Sequence, residues 1–152
     1  MKPVITILTC LICIQLFACN CKNDIINNSN NILDTSSMKI KITIGTNSFT
    51  ASLYNNASVT AFKAKLPLTI DMKELNGNEK YFDLPDNLPA NASNPGTIQT
   101  GDLMLYGSNT LVLFYKTFST SYNYTRLARI DNPTGLADAL GSGNKTIKFE
   151  VE

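Results

Sequence analysis

Apolar and polar side chains alternate along much of the chain after residue 37. In residues 38–44 every second side chain, from Met38 to Ile44, is apolar, and the positions between them are polar. A period of two is typical of a β-strand with one buried face. After a turn at residues 45–47 the alternation resumes, so residues 38–54 are predicted to form a hairpin. The other predicted strands are residues 68–72, 79–84, 103–106, 110–115, 124–130 and 146–151.

One stretch has helical spacing instead. Val59 and Phe62 fall on one side of a short predicted helix, with Asn56 or Ser58 as its cap and Pro67 as its end. Residues 133–140 are predicted to form a second short helix or a turn. Together these patterns predict a mainly β fold, a small closed or nearly closed barrel with one or two short helices, over residues 38–152.

A long loop is predicted at residues 85–96. The segment contains three prolines and no periodic pattern. Loops of this length inside a compact domain are often functional.

The first 18 residues have the layout of a secretory signal peptide, with Lys2 at the start and an apolar run up to Phe17. The run is shorter than the ~20 apolar residues of a spanning helix. Residues 16–19, LFAC, resemble the lipobox of bacterial lipoproteins, whose cysteine becomes the acylated amino terminus. The resemblance implies lipidation of Cys19 and a position in the cell envelope, anchored to a bacterial membrane through this lipid. The alternative, a buried helix, is disfavoured because the run has no polar face.

Residues 19–37 are rich in Asn, Asp and Ser, a composition too polar to bury a core. We predict a disordered tether that reaches ~20 to 25 Å. All four cysteines lie within the first 21 residues, so the barrel contains no disulfide or cysteine ligand. Cys10 and Cys13 have a redox-type spacing but would be lost with the signal peptide.

Charge and composition exclude several functions. The chain has 13 basic and 12 acidic residues, which leaves no basic surface for nucleic acid. It has no histidine, which excludes a Ser-His-Asp triad and histidine metal ligands, so we predict no metal and no cofactor. The remaining acid-base candidates are tyrosines, lysines and carboxylates such as Asp71, Glu74, Glu79, Asp83 and Asp102, and the pattern groups no two of these carboxylates. Asp71 fits a solvated strand face, and Asp102 fits a turn.

A family resemblance rests on residues 101–118, which read GDLMLYGSNTLVLFYKTF: two apolar runs on either side of a Gly-Ser-Asn hinge. They are preceded by LPLTIDMKELNGNEKYFDLP and followed by TRLARIDNPTGLADAL. The order and spacing of these segments, from about residue 39 to residue 150, resemble the bacterial cyclophilin-like domain family. The resemblance implies a barrel flanked by short helices, in a family whose biochemical function is mostly unassigned.

Comparison with the cyclophilin isomerases implies that their catalytic set is absent. Residues 127–130 and the Gly135-Leu136 pair resemble the FGxV strand and the glycine-hydrophobic pair after it. On this basis the pocket histidine falls near Tyr124 and the pocket phenylalanine near Phe114. The pocket glutamine is replaced by aliphatic residues around Val112, and the essential arginine has no counterpart in residues 79–84.

The ligand-pocket candidates are Phe114, Tyr124, Arg126, Tyr81 and Tyr106. Arg126 and Arg129 are three residues apart, which puts them on opposite faces of a regular strand. Arg126 is preferred because it is two residues from Tyr124 and therefore on the same face as that candidate. A surface role for the arginine and core roles for the aromatic residues remain alternatives.

Three functions remain open. The favoured one is a membrane-tethered binding module, without catalytic residues, that holds a small ligand or peptide segment. The alternatives are a divergent enzyme, such as a weak prolyl isomerase, and a structural cell-envelope protein without a ligand.

Overall fold

A computed structural model describes residues 38–152 of the chain. The predictions made for residues 1–37, namely the signal peptide, the lipidation of Cys19 and the tether, lie outside the described residues. The described part has ten strands and two helices. The strands are β1 (Lys39–Ile44), β2 (Asn47–Leu53), β3 (Leu68–Leu75), β4 (Glu79–Asp83), β5 (Thr97–Ile98), β6 (Asp102–Tyr106), β7 (Thr110–Phe114), β8 (Phe118–Ser119), β9 (Thr125–Ile130) and β10 (Lys145–Val151). The helices are α1 (Ala57–Lys63) and α2 (Leu136–Leu140).

Eight of the strands close into an antiparallel barrel. Around the barrel their order is β1, β10, β3, β4, β7, β6, β9 and β2. Each of these eight strands is paired with a neighbour on both sides, so the barrel has no open edge. The predicted mainly β barrel with short helices is confirmed. The separate two-stranded sheet of β5 and β8 was not predicted, because strands of two residues are too short to show a period.

The hairpin of β6 and β7 is buried on both faces. Its inward-facing side chains, which join the main core of the barrel, are Leu103, Leu105, Leu111 and Leu113. Met104, Val112 and Phe114 alternate with them and join a second cluster on the outer face, with Ile98 and Tyr124. This double burial explains why the hairpin is almost uniformly apolar in sequence rather than alternating.

Helix α1 begins where the sequence predicts. The side-chain oxygen of Asn56 accepts a hydrogen bond from the Val59 amide at 2.9 Å, so Asn56 is the cap. Ser58, the other candidate, instead donates to the carbonyl of Pro89. Phe62 packs edge-on against Phe149 of β10, with ring centroids 6.1 Å apart, and this contact joins the helix to the core. Within residues 38–152 neither helix has the length and hydrophobicity that crossing a lipid bilayer requires.

Candidate functional site

A groove of about 550 Å³ lies on the outer face of the barrel, where β4 and β7 face the segment that leads into β9. A volume of this size falls within the ~300 to 1,000 Å³ typical of small-ligand sites. The lining residues from β3, β4 and their turn are Leu75, Asn76, Asn78, Glu79, Tyr81 and Asp83. Those from β6, β7 and the segment before β9 are Tyr106, Thr110, Val112, Phe118, Ser119, Thr120, Ser121, Tyr122 and Tyr124.

Four tyrosines form the walls of the groove. Tyr106 lies between Tyr122 and Tyr124, with ring centroids 6.1 Å and 5.6 Å away. Tyr81 lines the groove from β4. Tyr106 and Tyr122 are 46% and 61% exposed, so their rings are accessible to a ligand. The structure thus brings together three of the candidate residues, Tyr81, Tyr106 and Tyr124, and adds Tyr122, which has no regular strand pattern around it.

Phe114 lies behind the groove rather than in its lining. Its side chain is fully buried and contacts Tyr124 edge-on, with ring centroids 5.5 Å apart. Phe118 packs against it at 5.7 Å. Phe114 therefore supports the tyrosine wall from beneath, and a ligand in the groove would touch Tyr124 and Phe118 instead.

The long loop fixes the position of Tyr124. Ser93, within the predicted loop of residues 85–96, exchanges two backbone hydrogen bonds of 3.0 Å with Tyr124. The buried hydroxyl of Thr125 also accepts a bond of 2.9 Å from the Asn91 amide. These bonds hold the start of β9 against the loop. The loop thus contacts the residues at the start of β9, although none of residues 85–96 lines the groove.

Arg126 does not line the groove, in contrast to our expectation. It lies opposite Met104 and so on the outer face, but its guanidinium sits 5.9 Å from the ring centroid of Tyr54, which is not a groove residue. A bulge in β9 leaves Leu127 as an extra residue at this point of the pairing. The bulge lies after Arg126, so Arg126 keeps the face of Tyr124 as expected, whereas Arg129, opposite Asp102, lies on this outer face too and not on the opposite one.

Two carboxylates lie on the groove side of β4. Glu79 and Asp83 flank Tyr81 at two-residue spacing, which puts all three on one face. Asp83 accepts a hydrogen bond of 2.7 Å from the Thr110 hydroxyl. Burial raises the pKa of Glu79 to about 6, and the negative charge of Glu74 adds to the shift. The sequence pattern grouped no two carboxylates, yet the pairing of β3 with β4 brings Glu74 and Glu79 into electrostatic contact.

A buried ion pair lies next to this carboxylate, inside the barrel. The fully buried Lys80 donates hydrogen bonds to Glu74 and to the carbonyls of Gly141 and Gly143, the last two at 2.9 Å and 2.6 Å. Tyr115 donates to the other oxygen of Glu74 at 2.7 Å. Burial raises the pKa of Glu74, but the bonds from Lys80 and Tyr115 outweigh it and hold the pKa below its ordinary value. All three donors of the Lys80 ammonium and both oxygens of Glu74 thus have partners, which is typical of a structural contact.

A second cleft of about 660 Å³ lies beside β2 and β9. Its charged side chains already have partners. Asp131 is bonded to Lys39 at 2.8 Å and to Ser52 at 2.7 Å. The Arg129 Nε atom lies 3.6 Å from the carboxylate of the buried Asp102, which is the first residue of β6 rather than a turn residue and accepts a hydrogen bond of 2.8 Å from the Gln99 amide. Because its charges are paired, this cleft offers a ligand less than the tyrosine-lined groove does.

Comparison with known proteins identifies the family. The model of the Cyclophilin-like family matches residues 42–152 of the chain. The solution structure of a hypothetical protein from Archaeoglobus fulgidus is similar with a TM-score of 0.52 and 18% identity, over 78% of this chain and 97% of that one, which supports the fold alone. No curated protein matches the chain. Over residues 38–152 no three His, Cys, Asp or Glu side chains lie close enough together to hold a metal ion. The closed barrel and the family match together show that this chain belongs to the cyclophilin-like family.

Proposed function

We propose that this chain is a binding module whose tyrosine-lined groove holds a small ligand or a peptide segment. The observation that carries the proposal is the groove itself, a cavity of about 550 Å³ with four tyrosines around an apolar floor of Val112 and Phe118. Tyrosine offers a rigid apolar ring and a polar hydroxyl, and it loses little conformational entropy on binding. These properties make the tyrosine side chains suitable for binding a ligand.

The same lining argues against prolyl isomerase activity. Stabilising a twisted amide requires a positioned cationic donor in a site that excludes water. Among the described residues, those that line the groove include no lysine or arginine, and the chain has no histidine. Lys73 reaches the Tyr81 ring from the neighbouring strand at 5.9 Å, but its side chain is exposed to solvent, where its field is screened.

An isomerisation assay tests this part of the proposal. We expect the full chain, in a mild nonionic detergent, to leave the cis-trans exchange of a blocked proline peptide at its uncatalysed rate. The contrary result is an acceleration that Tyr106→Ala removes. Tyr106 is a suitable probe because it lines the groove and is half exposed, so its truncation should leave the fold intact. Such a result would favour the divergent enzyme instead.

Binding can be followed through the tyrosines. The chain has six, and only Tyr81, Tyr106, Tyr122 and Tyr124 line the groove within the described part. With ¹³C-labelled tyrosine rings, we expect these four resonances to shift when blocked alanine-based pentapeptides with central lysine, norleucine or glutamate are titrated. Tyr54, which lines the second cleft, is the internal control. If no peptide of the panel moves the groove resonances at millimolar concentration, the binding-module proposal is wrong.

We further propose that the barrel is tethered to a bacterial membrane through a lipid on Cys19. The support is the LFAC sequence of residues 16–19 and the polar tract that follows it. We expect mass spectrometry of the mature chain to find an acylated Cys19 at the amino terminus, and Cys19→Ala to lose both lipid and cleavage. Cys21→Ala is the matched control and should be processed normally. An unmodified amino terminus on a membrane-bound wild-type chain would contradict the anchor.

A further inference from the structure

The groove has an excess of negative charge. Glu79 and Asp83 project into it from β4, and among the lining residues of the described chain no cation balances them. The nearest buried cation, Lys80, is occupied by Glu74 and two carbonyls. Lys73 lies only at the rim, exposed to solvent and 5.9 Å from the ring centroid of Tyr81, so an anion inside the groove would meet like charge, whereas a cation would be attracted.

The groove also has a spare hydrogen-bond acceptor. The side-chain oxygen of Asn78 is buried and has no hydrogen-bond partner within residues 38–152. A buried acceptor without a partner is unfavourable, so a donor that this side chain could turn to meet would be favoured there. Asn78 directly precedes Glu79 in the chain and lines the same groove. The two residues together present acceptors and no counter-charge.

The aromatic walls suit a cation as well. A tyrosine ring attracts a positive charge placed over its face within about 6 Å. The structure contains one such contact at the rim of the groove, since the Lys73 ammonium lies 5.9 Å from the ring centroid of Tyr81. Three further tyrosine rings in the groove, those of Tyr106, Tyr122 and Tyr124, have no cation over them among the described contacts.

We propose that the groove binds a primary ammonium group carried on an apolar stem, as in the lysine side chain of a peptide. This inference rests on the binding function proposed above and names its ligand class. The ammonium pairs with the Glu79 carboxylate, and the Asn78 side-chain oxygen accepts a hydrogen bond from it when that side chain turns toward the ligand. Its methylene stem packs on the apolar floor of Val112 and Phe118, between the tyrosine rings.

Binding of this kind depends on pH through Glu79. The titratable groups that interact with Glu79 are Glu74 from β3, Tyr115 after β7 and Tyr124 before β9. The pKa of Glu74 is held low and burial raises the pKa of both tyrosines, so Glu79 is the member of this set that titrates near pH 6. Since only the ionised carboxylate attracts the ammonium, affinity should fall about tenfold between pH 7.5 and pH 5.

The labelled-tyrosine titration decides between ligand classes. We expect the lysine pentapeptide to bind about tenfold more tightly than its norleucine analogue, which has the same stem without the charge, and the glutamate peptide to bind more weakly still. Glu79→Gln should remove about tenfold of the lysine-peptide affinity together with its pH dependence. Asp71→Asn, which removes an exposed carboxylate outside the groove, should change neither.

The outcomes separate this inference from the proposed function. If the norleucine or glutamate peptide shifts the groove tyrosines at the same concentration as the lysine peptide, the groove binds ligands but the ammonium assignment is wrong. If none of the three shifts them, both proposals fail. A further titration uses free n-butylammonium. If it binds as tightly as the lysine peptide, a small amine is enough to occupy the groove; if it binds more weakly, the ligand is a lysine within a peptide.

Discussion

Replacing Phe114 with alanine is expected to lower the free energy of unfolding by about 3 to 5 kcal/mol, the range found for truncating a fully buried phenylalanine. The side chain is completely buried in the outer cluster and contacts both Tyr124 and Phe118. The rings around it cannot collapse freely, because Tyr124 is bonded through its backbone to Ser93. Urea denaturation of the full chain, followed by far-ultraviolet circular dichroism, measures the loss.

Tyr122→Ala is the matched control for this experiment. It also removes an aromatic ring from the groove region, but the Tyr122 side chain is 61% exposed, so we expect the free energy of unfolding to change by less than about 1 kcal/mol. If Phe114→Ala costs no more than Tyr122→Ala, the outer cluster is not packed as described. The comparison also shows why Phe114→Ala is a poor probe of ligand contact, since instability alone could abolish binding.

The barrel could be predicted from the sequence because its alternation is mostly local. A strand with one face in the core and one in solvent shows a period of two, and β1, β3 and β10 all follow it. The hairpin of β6 and β7 lacks that period, because its outer face is covered by the cluster around Phe114. Its position was predicted from the Gly-containing hinge instead.

The site was only partly predictable. Residue-by-residue resemblance pointed to Tyr124, whereas Tyr81 and Tyr106 were candidates only as aromatic residues of predicted strands, with a core role as the alternative. The expectation that Arg126 and Arg129 lie on opposite faces was wrong, because the bulge at Leu127 puts both on the outer face; such a bulge depends on how β9 pairs with β6 and leaves no local signal in sequence. Tyr122 lies in an irregular segment, so only the folded chain brings it to the groove.

Glu79 and Lys80 show most clearly which features of the site cannot be predicted from local sequence. Both occupy β4, where neighbouring side chains point to opposite faces. Because lysine is usually exposed, the sequence does not predict that Lys80 faces the barrel interior, on the same face of β4 as Phe82. The partner that permits its burial, Glu74, lies on β3 and is brought to it by the turn between the strands. The raised pKa of Glu79 has the same tertiary origin, since burial and Glu74 both contribute.

Removing the carboxylate of Glu74 is expected to destabilise the barrel by about 3 to 5 kcal/mol, because it leaves the charge of Lys80 buried without its partner. Lys80 is fully buried, whereas the Glu74 side chain is 24% exposed. Glu74→Ala therefore keeps the costly charge and removes the group that compensates it. Urea denaturation at pH 7 measures the effect, with Asp71→Ala on the exposed side of β3 as the control that should change stability by less than about 0.5 kcal/mol.

Two further measurements separate the ion pair from simple loss of packing. Because the native pKa of Glu74 is below its ordinary value of 4.5, its stabilising contribution is present above that value and is lost as pH falls through the lowered native pKa. The difference between wild type and Glu74→Ala should therefore shrink at acid pH. The double variant Glu74→Leu with Lys80→Met removes both charges and should be more stable at pH 7 than Glu74→Ala, although the carbonyls of Gly141 and Gly143 and the Tyr115 hydroxyl lose a partner and recovery is incomplete. A difference between wild type and Glu74→Ala that is independent of pH would mean that Lys80 does not depend on the carboxylate for its burial.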